Sequence, residues 1–200
     1  MNLLIDELPV SVNIAGTEYP VNTNFRNMIL IGQLVNDSAY SQNERVGLML
    51  NLFYKQAPPD IAAAIGELVS FYKGYRPDPP VSKVKNTGAP EAYSYDRDDW
   101  LIYSAFRKSW DINLQTIEYL HWFEFRALFD DLDETCLFVK VMQYRAVDLS
   151  AIKDKEQKAF YRKMKRIYAL PLDEHEQERL DKLDELLRAG GDISEVLKGC

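Results

Sequence analysis

Between Thr116 and Leu132 the chain runs without Gly or Pro, and apolar residues fall on nearly every side of a helical projection. Ile117, Leu120, Phe125, Leu128 and Leu132 gather on one side, while Tyr119, Trp122, Phe123 and Phe129 spread over the rest. A helix that is apolar nearly all round has to be covered nearly all round. The pattern predicts a central helix over residues 116–132 on which the other segments pack.

Ahead of it the period changes. In residues 10–21, Val10, Val12 and Ile14 alternate with smaller or polar residues, and Ala15-Gly16 suits a turn, which predicts a β-hairpin. Pro9 and Pro20 limit pairing at its ends. A lone hairpin is marginal in water, so this one is expected to lie on helices. Three helical patterns follow. Thr23 is placed to cap a helix burying Phe25, Met28, Ile29, Ile31, Leu34 and Val35. Ser41-Gln-Asn-Glu44 has the capping-box spacing ahead of Val46, Leu48, Met49, Leu52 and Phe53. Pro58-Pro-Asp60 stops that helix and caps the next, whose period of Ile61, Ile65, Leu68, Val69 and Tyr72 ends at Gly74.

Residues 76–92 hold four of the nine prolines and read as a flexible linker. It separates residues 1–75, a hairpin and three helices, from residues 93–171, the half that holds the central helix. In that second half Trp100, Tyr103, Phe106 and Trp110 recur at steps of three and four. A helix through Phe138, Val141, Met142 and Arg145 follows the central one. A basic helix over about residues 152–169 places Phe160, Met164, Ile167 and Tyr168 on one face. Beyond Pro171, residues 172–200 carry a thin stripe of Leu180, Leu183 and Leu187, an acidic helical tail dispensable for folding. The expected fold is mainly α: a multi-helix domain with a small N-terminal β-hairpin and a C-terminal helical tail.

Composition narrows the function. The 200 residues, 46% of them hydrophobic, supply a real core. A net charge of −7 argues against generic nucleic-acid binding. Met1-Asn-Leu-Leu-Ile-Asp-Glu has acids where a signal peptide needs bases, and no apolar run reaches the length of a membrane span. Two cysteines, Cys136 and Cys200, make no disulfide framework.

Candidate chemistry is sparse. Glu118 and His121 have the Glu-x-x-His spacing of a helix-borne metal pair, but the only other histidine, His175, has no matching Glu. His121 is therefore read as a core histidine bonded to a carboxylate or backbone group. Cys136 with His121 lacks an orienting third residue, and no phosphate loop or nucleophile elbow occurs. No cofactor, metal or catalytic residue is expected. Residues 153–166 hold five Lys and two Arg against two acids, whereas residues 172–200 hold nine acids and four bases. The basic run reads first as a solvated helix face, then as a contact for an acidic protein surface.

Three phrases carry a resemblance. Glu18-Tyr-Pro-Val-Asn-Thr-Asn-Phe-Arg26, Ile117-Glu-Tyr-Leu-His-Trp-Phe-Glu-Phe-Arg-Ala-Leu-Phe129 and Lys153-Asp-Lys-Glu-Gln-Lys-Ala-Phe-Tyr-Arg-Lys-Met-Lys165 resemble the bacteriophage "gene product fifteen" family of tailed phages and prophages of Gram-positive bacteria. The likeness runs in order from about residue 3 to Leu170, departing at Phe123, where a second Trp is common. It implies a non-enzymatic tail assembly chaperone in the host cytoplasm. Such a protein keeps the long apolar tape-measure protein soluble while the tail tube polymerises. The alternative it implies is a structural tail component or adaptor retained in the virion. Other tail proteins and a second copy are further partners; nucleic acid and membrane are not. The residues expected to meet the partner are Trp100, Tyr103, Phe123 and Phe129, the aromatics one core face absorbs least easily. Lys163 and Arg166 are expected as secondary contacts that set association rate.

Overall fold

A computed structural model describes residues 2–35, 37–76 and 92–171. The expected linker, apart from its end residues Arg76 and Ala92, and the expected tail at 172–200 lie outside the described residues. The fold is mainly α, with seven helices among the described residues and one two-stranded sheet. Met1–Ala169 form one compact unit.

Strand β1 (Ser11–Ile14) pairs antiparallel with β2 (Thr17–Pro20), Val12 opposite Tyr19 and Ile14 opposite Thr17. The turn works because Ala15 and Gly16 both have positive φ, 50° and 84°, which matches the twist of a two-residue hairpin. Asn13 Oδ1 accepts from Gly16 N–H at 3.0 Å and holds the turn shut. Val12 and Ile14 are buried while Val10 is exposed. The hairpin does not stand alone. Asn22 N–H donates to Phe53 C=O at 2.7 Å and Lys55 N–H to Pro20 C=O at 3.1 Å, so its exit is laced to the end of α2.

Helix α1 spans Phe25–Val35, α2 Gln42–Phe53 and α3 Ile61–Tyr72. The capping box of α2 forms as its spacing predicts: Glu44 N–H donates to Ser41 Oγ, and Ser41 N–H to Glu44 Oε2 at 2.9 Å. Asp60 Oδ1 caps α3 through Ala63 N–H at 3.0 Å. Gly74, at φ 70°, ends it, with Gly74 N–H on Phe71 C=O and Tyr75 N–H on Ser70 C=O. Two expectations fail here. Thr23 does not cap α1: its hydroxyl meets the Tyr119 hydroxyl at 2.7 Å, and Asn24 Oδ1 takes the Arg26 N–H instead. On α3 the buried residues are Ala64, Leu68 and Phe71, whereas Ile61, Ile65 and Val69 are exposed. Both sides of α3 are apolar, and Phe71, packed on Phe53 and Phe123, decides which one faces inward.

The second half contributes α4 (Asp99–Trp110), α5 (Trp122–Asp130), α6 (Leu137–Ala146) and α7 (Lys155–Ile167). The predicted central helix is thus shorter than 116–132. Its first turns are lost because their backbone groups are used elsewhere. Leu120 C=O accepts from Phe25 N–H at 3.0 Å, and Trp122 N–H donates to Thr23 C=O at 2.7 Å. Both groups would bond within a continuous helix; here they form a short antiparallel bridge at Asn24 and His121. Arg26 Nη2 adds 2.8 Å bonds to the carbonyls of Leu114 and Ile117, fixing the preceding turns outside a helix.

What remains, α5, is still central. The Phe125 ring lies nearly parallel to Phe25, Phe106 and Trp122, at 4.9, 5.0 and 5.6 Å between centroids. That stack joins α1, α4 and α5, and each ring so buried contributes about 1.5–3 kcal/mol. Trp122 Nε1 donates to Tyr72 C=O at 2.9 Å, which ties α5 to the end of α3.

Candidate partner surface

The six residues expected to meet a partner are split by the fold. Phe123 and Phe129 are core residues, in contact with Phe71 and Phe138 respectively. Both are almost wholly covered, so neither offers a partner the broad aromatic face expected of it: α3 covers one side of α5 and Tyr93 and Phe138 another, and only Phe123 keeps a small part of its ring on a cleft. Trp100 is the opposite case. Ile102, Ala105 and Phe106 turn inward on α4, leaving Trp100 on its outer side at 80% exposure. Tyr103 is half-buried, and its hydroxyl donates to Asn113 Oδ1 at 3.3 Å. Lys163 and Arg166 are exposed on α7, away from these aromatics in sequence and on a different element.

Sequence periodicity missed the outer face of α3. Ile61, Ile65 and Val69 stand four residues apart and form one ridge along the helix, at 48%, 36% and 45% exposure. Exposed Ala62 and Gly66 lie beside it, and Gly66 has open space where a Cβ would stand. The one charged residue in α3, Glu67, accepts the Tyr75 hydroxyl at 2.5 Å. An uncharged ridge with small residues alongside is the shape that another helix packs against. The sequence does carry its signal, since α3 is apolar on two sides and only one can face the core.

Helix α7 offers a third kind of surface. Asp154 caps it through Gln157 N–H at 2.7 Å. Met164, Tyr161 and Tyr168 are half-buried, the two tyrosines against Tyr144. Phe160 and Ile167, expected on the packed face, are exposed. No residue of α7 is fully buried, so the helix is held by its half-buried stripe and by Lys165 Nζ on Val147 C=O at 3.1 Å.

Two buried polar groups hold this surface in place. His121 is the N-cap of α5: its Nδ1 accepts from Phe123 N–H at 3.0 Å, and its N–H donates to Glu124 Oε2 at 3.1 Å. A backbone N–H can only donate, so Nδ1 is bare and Nε2 carries the proton that Pro9 C=O accepts at 3.1 Å. Burial pulls the imidazole below its ordinary pKa, against the opposing pull of Pro9 C=O and Glu124. Glu118 and His121 do not share a helix face, because α5 begins only at Trp122. The second group is an ion pair: Arg145 Nη1 and Nη2 donate to Asp98 Oδ2 and Oδ1 at 2.6 and 2.9 Å, both side chains buried. Cys136, at the N-cap of α6, is buried with its Sγ 3.6 Å from Ser109 Oγ. Burial pushes the Tyr54 phenol up to about 12, and its hydroxyl donates to Ala64 C=O at 2.9 Å.

Among the described residues no group of three or more His, Cys, Asp or Glu could hold a metal ion. No helix among them is long and apolar enough to cross a membrane. The family model described as "Bacteriophage Gp15 protein" matches residues 4–170. No curated protein and no solved structure matches the chain.

Proposed function

This chain belongs to the bacteriophage Gp15 family, and on that premise we propose that it is a tail assembly chaperone that binds the tape-measure protein. The observation that carries the reading is the family match over residues 4–170, nearly the whole of the compact unit. The role is binding without catalysis, carried out in the host cytoplasm, with protein rather than nucleic acid as partner.

Two features of the surface support it. Trp100 projects from α4, and a large exposed aromatic is the side chain that most often anchors an interface. The uncharged ridge of α3 suits an apolar helix, the form a tape measure presents before the tube encloses it. Lys163 and Arg166 stand on a surface that speeds approach more than it adds strength.

Co-expression with a tape-measure protein of the same phage tests the reading. Soluble tape measure is expected only when this protein is present, co-purifying through a high-salt wash. Trp100→Ser and Ile65→Glu are expected to weaken capture at least about tenfold while leaving the melting temperature within a few degrees, since both side chains are exposed. Capture lost at moderate salt would move the binding surface to α7. An unaffected tape measure, with this protein found by mass spectrometry in purified virions, would replace the chaperone by a structural tail component.

A further inference from the structure

A cleft of about 480 Å³ opens where the N-terminal segment meets the end of α3 and one side of α5. One wall is apolar, formed by Leu3 and the edge of Phe123. The other is cationic: Arg76 and Arg126 line it beside Lys73, with Asp130 the one carboxylate among the described lining residues. In a chain of net charge −7 this is a local inversion of sign. A concave wall of one sign concentrates counter-charge in its opening.

Arg126 is the centre of the cleft's chemistry. Its guanidinium lies over the Trp122 ring at 5.6 Å and makes one long bond, 3.4 Å, to Tyr72 C=O. It forms no ion pair among the described residues, and its Nε is the one buried side-chain polar atom among them without a hydrogen-bond partner. Trp122 therefore holds a planar fork in place with no carboxylate on it. Arg76 is only loosely committed, with Nη1 4.0 Å from Asp130 Oδ2 and both side chains at least half exposed. Such a contact is readily exchanged for a better carboxylate. A guanidinium prefers a carboxylate in its plane, where two parallel N–H···O bonds form.

We propose that this cleft is a binding site for an acidic peptide: one carboxylate taken by Arg126 and Arg76, its apolar neighbour seated on Leu3 and Phe123. The assignment is independent of the tape-measure reading, because it rests on the cleft and not on which protein carries the peptide.

Isothermal titration calorimetry at low salt tests it. The probe is a short synthetic peptide with one glutamate between leucines, run beside the glutamine version and beside inorganic phosphate. The glutamate peptide is expected to bind at least about tenfold more tightly than the other two. Arg126→Gln is expected to remove that preference, and Arg76→Gln to reduce it. A melt of each variant beside the wild type reports folding; if Arg126→Gln melts early, the exposed Arg76→Gln carries the comparison. Equal binding of the glutamate and glutamine peptides overturns the proposal, as does a preference unchanged in the folded variants. Phosphate binding as tightly as the glutamate peptide overturns it in favour of a simple anion site.

Discussion

Arg145 closes the second half of the molecule. Beyond its two bonds to Asp98, Nε donates to Tyr168 C=O at 2.6 Å and Nη1 to Ala92 C=O at 3.2 Å. One side chain so gathers the start of α4, the end of α7 and the backbone at Ala92. Removing one member of a buried ion pair leaves the other charged and unpaired, at a cost of about 3–5 kcal/mol. Arg145→Met is expected to lower the urea-unfolding free energy by about that much, and adding Asp98→Asn is expected to recover part of it. A double variant no more stable than Arg145→Met would show that the lost carbonyl contacts, not the stranded carboxylate, dominate. Neither role was legible in the sequence. Asp98 stands between other acids in Asp96-Arg-Asp-Asp99 and Arg145 ends an apolar stripe; their pairing spans 47 positions and leaves no local pattern.

The elements divide by the same criterion. The capping box of α2, the Asp60 cap and the Gly74 stop were readable because each is a bond between residues a few positions apart. The 116–132 helix was over-extended because the groups that break it bond to residues 23–26, nearly a hundred positions away. Among the candidate contacts, periodicity picked out Trp100, yet it could not tell exposed Trp100 from buried Phe123, since both sit among aromatics. The cap of α5 has a measurable signature. His121 has its pKa below the ordinary 6.5, so the unfolded chain takes up the proton first as pH falls. Its contribution to stability is complete above about 6.5 and declines as pH falls from there toward the lower folded value. Urea midpoints are expected to drop over that window. The His121→Asn variant, whose side-chain oxygen still caps, is expected to lose that part of the dependence. A wild-type midpoint flat through the window would refute the Nδ1 cap.

Over the whole molecule, the two halves share one core. Phe25 stacks on Phe125, Phe71 packs on Phe123, and Trp122 bonds to Tyr72 C=O. Fragments 1–76 and 92–200, made separately, are therefore expected to lack a cooperative melt alone and to regain one on mixing. A cooperative melt of 1–76 by itself would show that the N-terminal half is self-sufficient. The same aromatic stack sets a timetable during synthesis. Phe25 leaves the ribosome roughly a hundred residues ahead of Phe125, which at about 5–20 residues per second is roughly 5–20 seconds. Through that interval the hairpin and first three helices carry Phe25 and Phe71 without the rings of Phe125 and Phe123 that cover them. A protein read as a guardian of another chain's apolar surface thus emerges with its own apolar surface bare, and begins to cover it only when nearly two thirds of the chain has been made.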